Sequence, residues 1–205
     1  MHVYAINSNK RETVIKIIFG LDILISFVIE YFHLIDMLWG LFQIDTQNSV
    51  FILFNIFLNV FVPLSIYGIF YWIYNKFLWK WGPLRGWHEI PDLNGRWEGK
   101  VTSPLKNQPI DITVNIEQTW DKIKISTRTN SQAQSQSAML EILENGTVYL
   151  RYSFITKRQN QEYPGYNRLE LNGDILDGEY FTAKTIPGMD GYGSKGNIRV
   201  KKVSN

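Results

Sequence analysis

The 205-residue chain contains no cysteine. That excludes disulfides, a thiolate nucleophile and zinc–thiolate sites. Histidine is nearly absent too: His2, His33 and His88 are the full set, and none stands at metal-ligand spacing from a second ligand. No metal centre and no Ser–His–Asp arrangement is therefore expected. The chain has no Gly-rich phosphate loop and no Gly-x-Ser-x-Gly elbow, so no catalytic residue, no cofactor and no enzyme activity is expected. Asp174, Asp177 and Glu179 cluster near a turn, where turn chemistry accounts for them better than acid–base work. Charge is scarce in the first half. Residues 1–89 carry six Lys/Arg and six Asp/Glu, against fifteen and thirteen in residues 90–205. The net +2 is too small to imply a DNA or RNA groove.

What fills the first half is apolar. Val50 to Tyr74 runs 25 residues without a charge. A helix rising ~1.5 Å per residue needs about 20 apolar residues to cross the hydrocarbon core. Trp72, Tyr74, Trp79 and Trp81 stand where an interfacial aromatic belt belongs, and Pro63 falls mid-span, where it should kink the helix. An earlier stretch, Thr13 to Leu41, is also apolar but holds Asp22, Ser26, Glu30, His33 and Asp36 within one stripe of a helix. Asn55 and Asn59 lie one turn apart in the second helix and can hydrogen-bond across an interface. Asp22, Glu30, Asn55 and Asn59 are thus candidates for membrane assembly. The charges either lie at helix ends and pair within a bundle, or they face other copies of the chain. A cleaved signal peptide fits poorly. Lys10, Arg11 and Lys16 flank the first helix, Lys76, Lys80 and Arg85 follow the second, and the loop between has no Lys or Arg. By the positive-inside rule both termini face the cytoplasm. The expected domains are a cytoplasmic N-terminus (1–12), transmembrane helices over 13–42 and 50–78, a periplasmic loop (43–49), a linker (79–91) and a cytoplasmic domain (92–203).

From Leu93 onward, alternation dominates. Ile110, Ile112, Val114 and Ile116 alternate with polar residues, as do Leu150, Tyr152 and Phe154. Period two with one apolar face means half-buried strands. The pattern, with turns at Asn145-Gly146, Asn172-Gly173 and Asp177-Gly178, predicts eight strands over 95–103, 109–118, 121–129, 136–144, 147–156, 165–173, 177–184 and 193–203. Eight sequential strands after two transmembrane helices suggest a small up-and-down barrel, whose interior holds side chains or one small ligand.

The turns after strands two, four and six are tight. Those after one, three, five and seven are expected to be longer: Ser103–Gln108, Asn130–Ser135, Lys157–Pro164 and Thr185–Tyr192. They should frame a mouth at the end away from the membrane linker. The inward parity offers Thr127, Thr129, Gln136, Tyr152, Asn167, Tyr180 and Thr182 as ligand residues. Tyr rings can stack on a base, and hydroxyls and amides can read its edge. Lys157, Arg158, Lys184 and Lys195 lie near the mouth and could meet phosphates. Inward Tyr and Thr also serve as core residues, and mouth lysines are often merely solvated. A group of polar residues in one small barrel is nonetheless unlike a dry core.

Gly95-Arg96-Trp97 is similar to the Gly-x-Trp of lipocalins, whose Trp plugs the closed end. Two apolar helices, a basic-aromatic linker and then Asp92-Leu93-Asn94-Gly95-Arg96-Trp97-Glu98-Gly99 resemble the two-transmembrane, β-strand-rich effectors of bacterial cyclic-oligonucleotide anti-phage signalling (CBASS). The resemblance continues through Ile116 to Trp120, the Ser-rich Ser131–Ser137 and Gly178-Glu179-Tyr180-Phe181-Thr182. It implies a barrel that binds a cyclic di- or oligonucleotide made by a partner nucleotidyltransferase during infection. It also implies self-association and disruption of the inner membrane. A membrane-tethered, lipocalin-like carrier of an apolar ligand is the alternative.

Overall fold

The computed structural model describes residues 1–34, 37, 41, 49–103, 108–158, 161–183 and 194–203; at 49–51, 54, 55, 58–60, 158 and 161 only the backbone is described. The chain divides into two compact units, Met1–Ser8 with Ile90–Asn205, and Asn9–Glu89.

The first unit is built from β1 (His2–Val3), β2 (Ala5–Ile6), β3 (Gly95–Thr102), β4 (Ile110–Gln118), β5 (Lys122–Arg128), β6 (Gln132–Ile142), β7 (Val148–Arg158), β8 (Gln161–Asn172), β9 (Ile175–Thr182) and β10 (Ser194–Lys202). From β3 to β10 each strand pairs antiparallel with its sequence neighbour, and β10 returns to pair with β3 from Thr102 to Trp97. The expected eight-stranded up-and-down barrel is therefore present, and closure leaves no free sheet edge between its first and last strands.

One seam is weak. β5 and β6 pair only over Ser126–Arg128 and Gln132–Gln134, and β6 then bulges between Ser135 and Ser137. Beyond the bulge the two strands diverge, and the N-terminal residues fill the gap. His2 and Val3 pair with Ile123 and Lys122, while Ala5 and Ile6 pair in parallel with Met139 and Leu140. Tyr4, between the two short strands, is buried. The Asn7 side chain donates to the Ile142 carbonyl at 2.9 Å and accepts from its N–H at 2.7 Å, as a strand backbone would. The Ser135 hydroxyl accepts from the Ile125 N–H at 2.9 Å and bonds His2 Nε2 at 2.8 Å. Two-residue strands carry no periodicity, so the sequence pattern does not announce this strap.

Two loops are shorter than expected. β6 starts at Gln132, directly after a Thr129–Ser131 turn in which the Thr129 N–H donates to the Ser131 carbonyl at 2.9 Å. The β7–β8 ladder runs on to Arg158 and Gln161, so Lys157–Pro164 is mostly strand and not a long loop. Pro164 is tolerated because its carbonyl accepts from Ala183 N–H. In a strand a residue's N and C=O point the same way, so its missing N–H lies toward β9, which ends at Thr182, and not toward β7.

The second unit holds α1 (Lys10–Tyr31), α2 (Ser49–Lys76), a 3-10 turn at Leu78–Lys80 and α3 (Gly82–His88). α1 ends where His33 takes a left-handed backbone (φ 47), before the end of the span expected over 13–42. α2 continues through Pro63. Among the described residues no helix is long and apolar enough to cross a membrane. On α1, Val14, Ile18 and Asp22 are buried at successive turns of one face. Asp22 Oδ1 and Ser26 Oγ have no hydrogen-bond partner among the described residues. Glu30 is exposed, Asp36 lies outside the described residues, and the side chains of Asn55 and Asn59 are likewise undescribed. Of the expected aromatic belt, Trp72 and Trp81 are exposed, but Trp79 is buried and its carbonyl bonds His88 Nε2 at 2.7 Å. Burial, and to a lesser extent nearby Arg85 and Lys10, hold His88 below the usual imidazole range against that bond.

Replacing Tyr4 by Ala should lower the barrel's unfolding free energy by about 3 kcal/mol through the lost ring and the cavity left. Val3→Ala, at an exposed site of the same strap, should change it by less than ~0.5 kcal/mol. Denaturant titration followed by tryptophan fluorescence measures both; equal effects would show that the strap is not part of the folded barrel.

Candidate ligand-binding site

Strand register sorts the interior into layers. Leu140, Leu150, Leu169, Gly178 and Ile198 stand opposite one another in sequence across β6 to β10. The next layer is Ala138, Tyr152, Asn167, Tyr180 and Gly196, and the one above it holds Phe154, Gly165, Thr182 and Ser194. The interior thus passes from aliphatic to aromatic and polar along the barrel axis. Two glycines make the upper layers possible. A Cβ on Gly196 would stand 2.6 Å from a Tyr180 ring carbon, and one on Gly165 would overlap the Phe154 ring. Each aromatic ring leans across a neighbouring glycine.

Above the aliphatic layers is a cavity of about 300 Å³. Phe154, Tyr163 and Tyr180 give it aromatic walls, Asn167 lines its floor, and Thr129, Ser131, Thr182 and Ser194 bring hydroxyls to its upper part. It lies at the end of the barrel opposite the start of β3, toward the β3–β4, β5–β6, β7–β8 and β9–β10 connections. That is the end at which the turn lengths placed the mouth. No described lining residue carries a formal charge.

Of the seven expected inward residues, Thr127, Thr129, Asn167, Tyr180 and Thr182 line this cavity. Tyr152 lies beside Asn167 in the same layer. Gln136 does not join them: it is exposed, outside the cavity lining. The inward parity of Ala138 and Leu140 breaks at the bulge, so Ser135 is buried in its place. Phe154, Tyr163 and Ser194 were not among the expected ligand residues. Tyr163 fell in a predicted loop, and Phe154 read as core.

Two polar groups at the floor are poorly satisfied. Asn167 and Tyr152 are each 2% exposed, and among the described residues neither Asn167 Oδ1 nor the Tyr152 hydroxyl makes a hydrogen bond of full geometry. Burial pushes the Tyr152 phenol up to about 12, opposed in part by hydrogen bonding toward the Thr127 and Asn167 side chains that falls short of that geometry. Two of the mouth cations are engaged. Lys157 pairs with Glu162 at 2.8 Å, and Lys195 with Glu179 at 3.1 Å, all four well exposed. Glu162, chiefly through its hydrogen bond, holds Lys157 above the usual amine range. The Arg158 backbone pairs with Gln161, its side chain being undescribed, and Lys184 lies outside the described residues.

The opposite end is plugged. Trp97 is 1% exposed and donates Nε1–H to the Leu93 carbonyl at 3.0 Å. Lys202 lies over its ring at 5.5 Å and donates to the Asp92 carbonyl at 3.0 Å. Gln118 accepts from the Leu93 N–H at 2.8 Å and donates to the Tyr4 hydroxyl at 3.1 Å, tying the segment ahead of β3, the barrel and the strap together. Trp97 is therefore structural, as its motif suggested.

An eight-stranded barrel closed at one end, with a cavity at the other whose described lining is uncharged and consists of aromatic rings, aliphatic side chains, hydroxyls and amides, is a small-molecule receptor barrel. Residues 88–200, more than half of the chain, match the family "Cap15, cyclic dinucleotide receptor domain", and the chain belongs to that family of CBASS effectors. It is 28% identical over 138 residues to CD-NTase-associated protein 15 of Staphylococcus schleiferi, covering 63% of this chain and 71% of the relative. It is 25% identical over 190 residues to CD-NTase-associated protein 15 of Yersinia aleksiciae, covering 86% and 89%.

The raised Tyr152 pKa carries a sign. The folded barrel holds the neutral phenol more strongly than the unfolded chain does, so this contribution is complete below pH 10. It is lost as pH rises from 10 toward about 12. Tyr152→Phe should remove that part of the alkaline destabilisation, which urea midpoints at pH 8, 10 and 11 would show; identical pH profiles would contradict it.

Proposed function

We propose that the barrel is the sensor of a membrane-bound effector. It binds a cyclic di- or oligonucleotide made by an associated nucleotidyltransferase after phage infection. The filled chain self-assembles, and its two apolar helices disrupt the inner membrane and kill the infected cell. The barrel and both termini face the cytoplasm, and the chain acts without catalysis of its own. The observation that carries this reading is the family match over residues 88–200, in which lies almost all of the cavity-bearing barrel. The 25 uncharged residues from Val50 to Tyr74 and the flanking Lys and Arg support the membrane assignment. Asp22, buried with an unpartnered oxygen, is a group that lipid would not tolerate and that a neighbouring copy or water could satisfy.

Two measurements test this. A cyclic dinucleotide panel should raise the melting temperature of the full chain, by an amount equivalent to about 2.7 kcal/mol at a hundredfold excess over Kd; a fatty-acid panel should not. A shift with fatty acids alone would instead favour the lipocalin-like carrier. In liposomes containing the full chain, the stabilising dinucleotide should release a trapped dye. Asp22→Leu combined with Glu30→Leu should reduce that release without changing the thermal shift. Unchanged leakage would remove the polar stripe from the mechanism.

A further inference from the structure

The cavity has a chemical polarity that the cyclic dinucleotide reading does not by itself explain. No described lining residue carries a formal charge; Asn167, with Tyr152 beside it in the same layer, lies at the floor, Phe154, Tyr163 and Tyr180 share the walls with aliphatic Val101, Ile110, Ile112 and Ile198, and the upper part carries hydroxyls. A volume of about 300 Å³ is at the small end of the usual range for ligand pockets, about 300–1,000 Å³. The two phosphodiesters of a cyclic dinucleotide are anions, and an anion buried without a counter-charge is heavily penalised. They therefore do not belong among Asn167, Tyr152 and the leucine layer beneath.

The floor is where the structure lacks something. Asn167 and Tyr152 face each other across β7 and β8, each is 2% exposed, and among the described residues Asn167 Oδ1 and the Tyr152 hydroxyl make no hydrogen bond of full geometry. Buried polar groups are nearly always satisfied, and an unsatisfied pair at the base of an open cavity calls for an explanation. A carbonyl oxygen that accepts and a hydroxyl that donates match an N–H beside an acceptor on the edge of a base. Tyr180, next to Asn167 in the same layer, and Tyr163 near the mouth present ring faces of the kind on which bases stack.

Resting on the receptor reading above, we propose that the cyclic dinucleotide enters base-first. One base inserts against the Asn167–Tyr152 floor, which reads its edge, between the Tyr163 and Tyr180 walls. The phosphodiester ring stays at the hydroxyl rim of Thr129, Ser131, Thr182 and Ser194. Asn167 and Tyr152 are then specificity determinants for a single base of the ligand.

The test uses the full chain in detergent, with Tyr152→Phe and Asn167→Leu, titrated with the symmetric and mixed cyclic dinucleotides of A, G, C and U. Each variant should bind the ligand preferred by the native chain at least tenfold more weakly, and its preference among bases should narrow. Removing an unpartnered buried polar atom should leave the empty protein's melting temperature unchanged or raised. A merely structural pair, or one satisfied only by buried water, would lower it and leave base preference intact. Affinities within threefold of the native chain for both variants would overturn the base-reading floor while leaving the receptor intact. A native chain that binds none of these ligands, with or without a response to palmitate, would sink the receptor reading and this proposal with it.

Discussion

The interior of an eight-stranded barrel is only just wide enough for side chains, and much else in this molecule follows from how that width is shared. In the aliphatic layer of Leu140, Leu150, Leu169 and Ile198, branched side chains fill the space and Gly178 supplies the narrow point. One layer up, the same arrangement carries Tyr152, Asn167 and Tyr180, with Gly196 giving way to the Tyr180 ring. Aromatic rings propped against glycines fill the wall and not the axis, so a cavity remains. A small number of residue choices on β7 to β10 thus turns a core into a container.

The closed end and the seam answer a second demand of the same geometry. A closed sheet needs continuous pairing, yet the bulge in β6 interrupts its contact with β5. The strap of Met1–Ser8 restores it from outside the meander. Gln118 joins the strap, through Tyr4, to the Leu93 backbone beside Trp97. The chain therefore contributes to one barrel from both sides of the helical segment Asn9–Glu89. Barrel and helices are linked at two points of the chain and not one.

Strand count, closure and the position of the mouth were legible because one buried face enforces period two, and Asn-Gly turns punctuate it. Most of the polar lining followed from the same parity. Parity fails where a residue is inserted, which is why Gln136 turned out exposed and Ser135 buried. It also fails to see a proline whose missing donor faces no partner, so the β7–β8 hairpin read as a loop around Pro164. The strap left no trace because two residues cannot show a period. The pairing of Lys157 with Glu162 was hidden for a related reason: it depends on a cross-strand register that the loop assignment had removed.

The energetic reach of such a container can be bounded. A ligand biases a second equilibrium only by its differential affinity for the two states, and taking a population from 1:99 to 99:1 requires about 5.5 kcal/mol. An unsatisfied buried polar group costs roughly 1–3 kcal/mol, so completing the hydrogen bonds of one such group supplies only part of that requirement. Rim lysines contribute little, because Lys157 and Lys195 already hold carboxylate partners across the surface, where solvent screens exposed pairs. A ligand that only paired with those cations would exchange one weak contact for another.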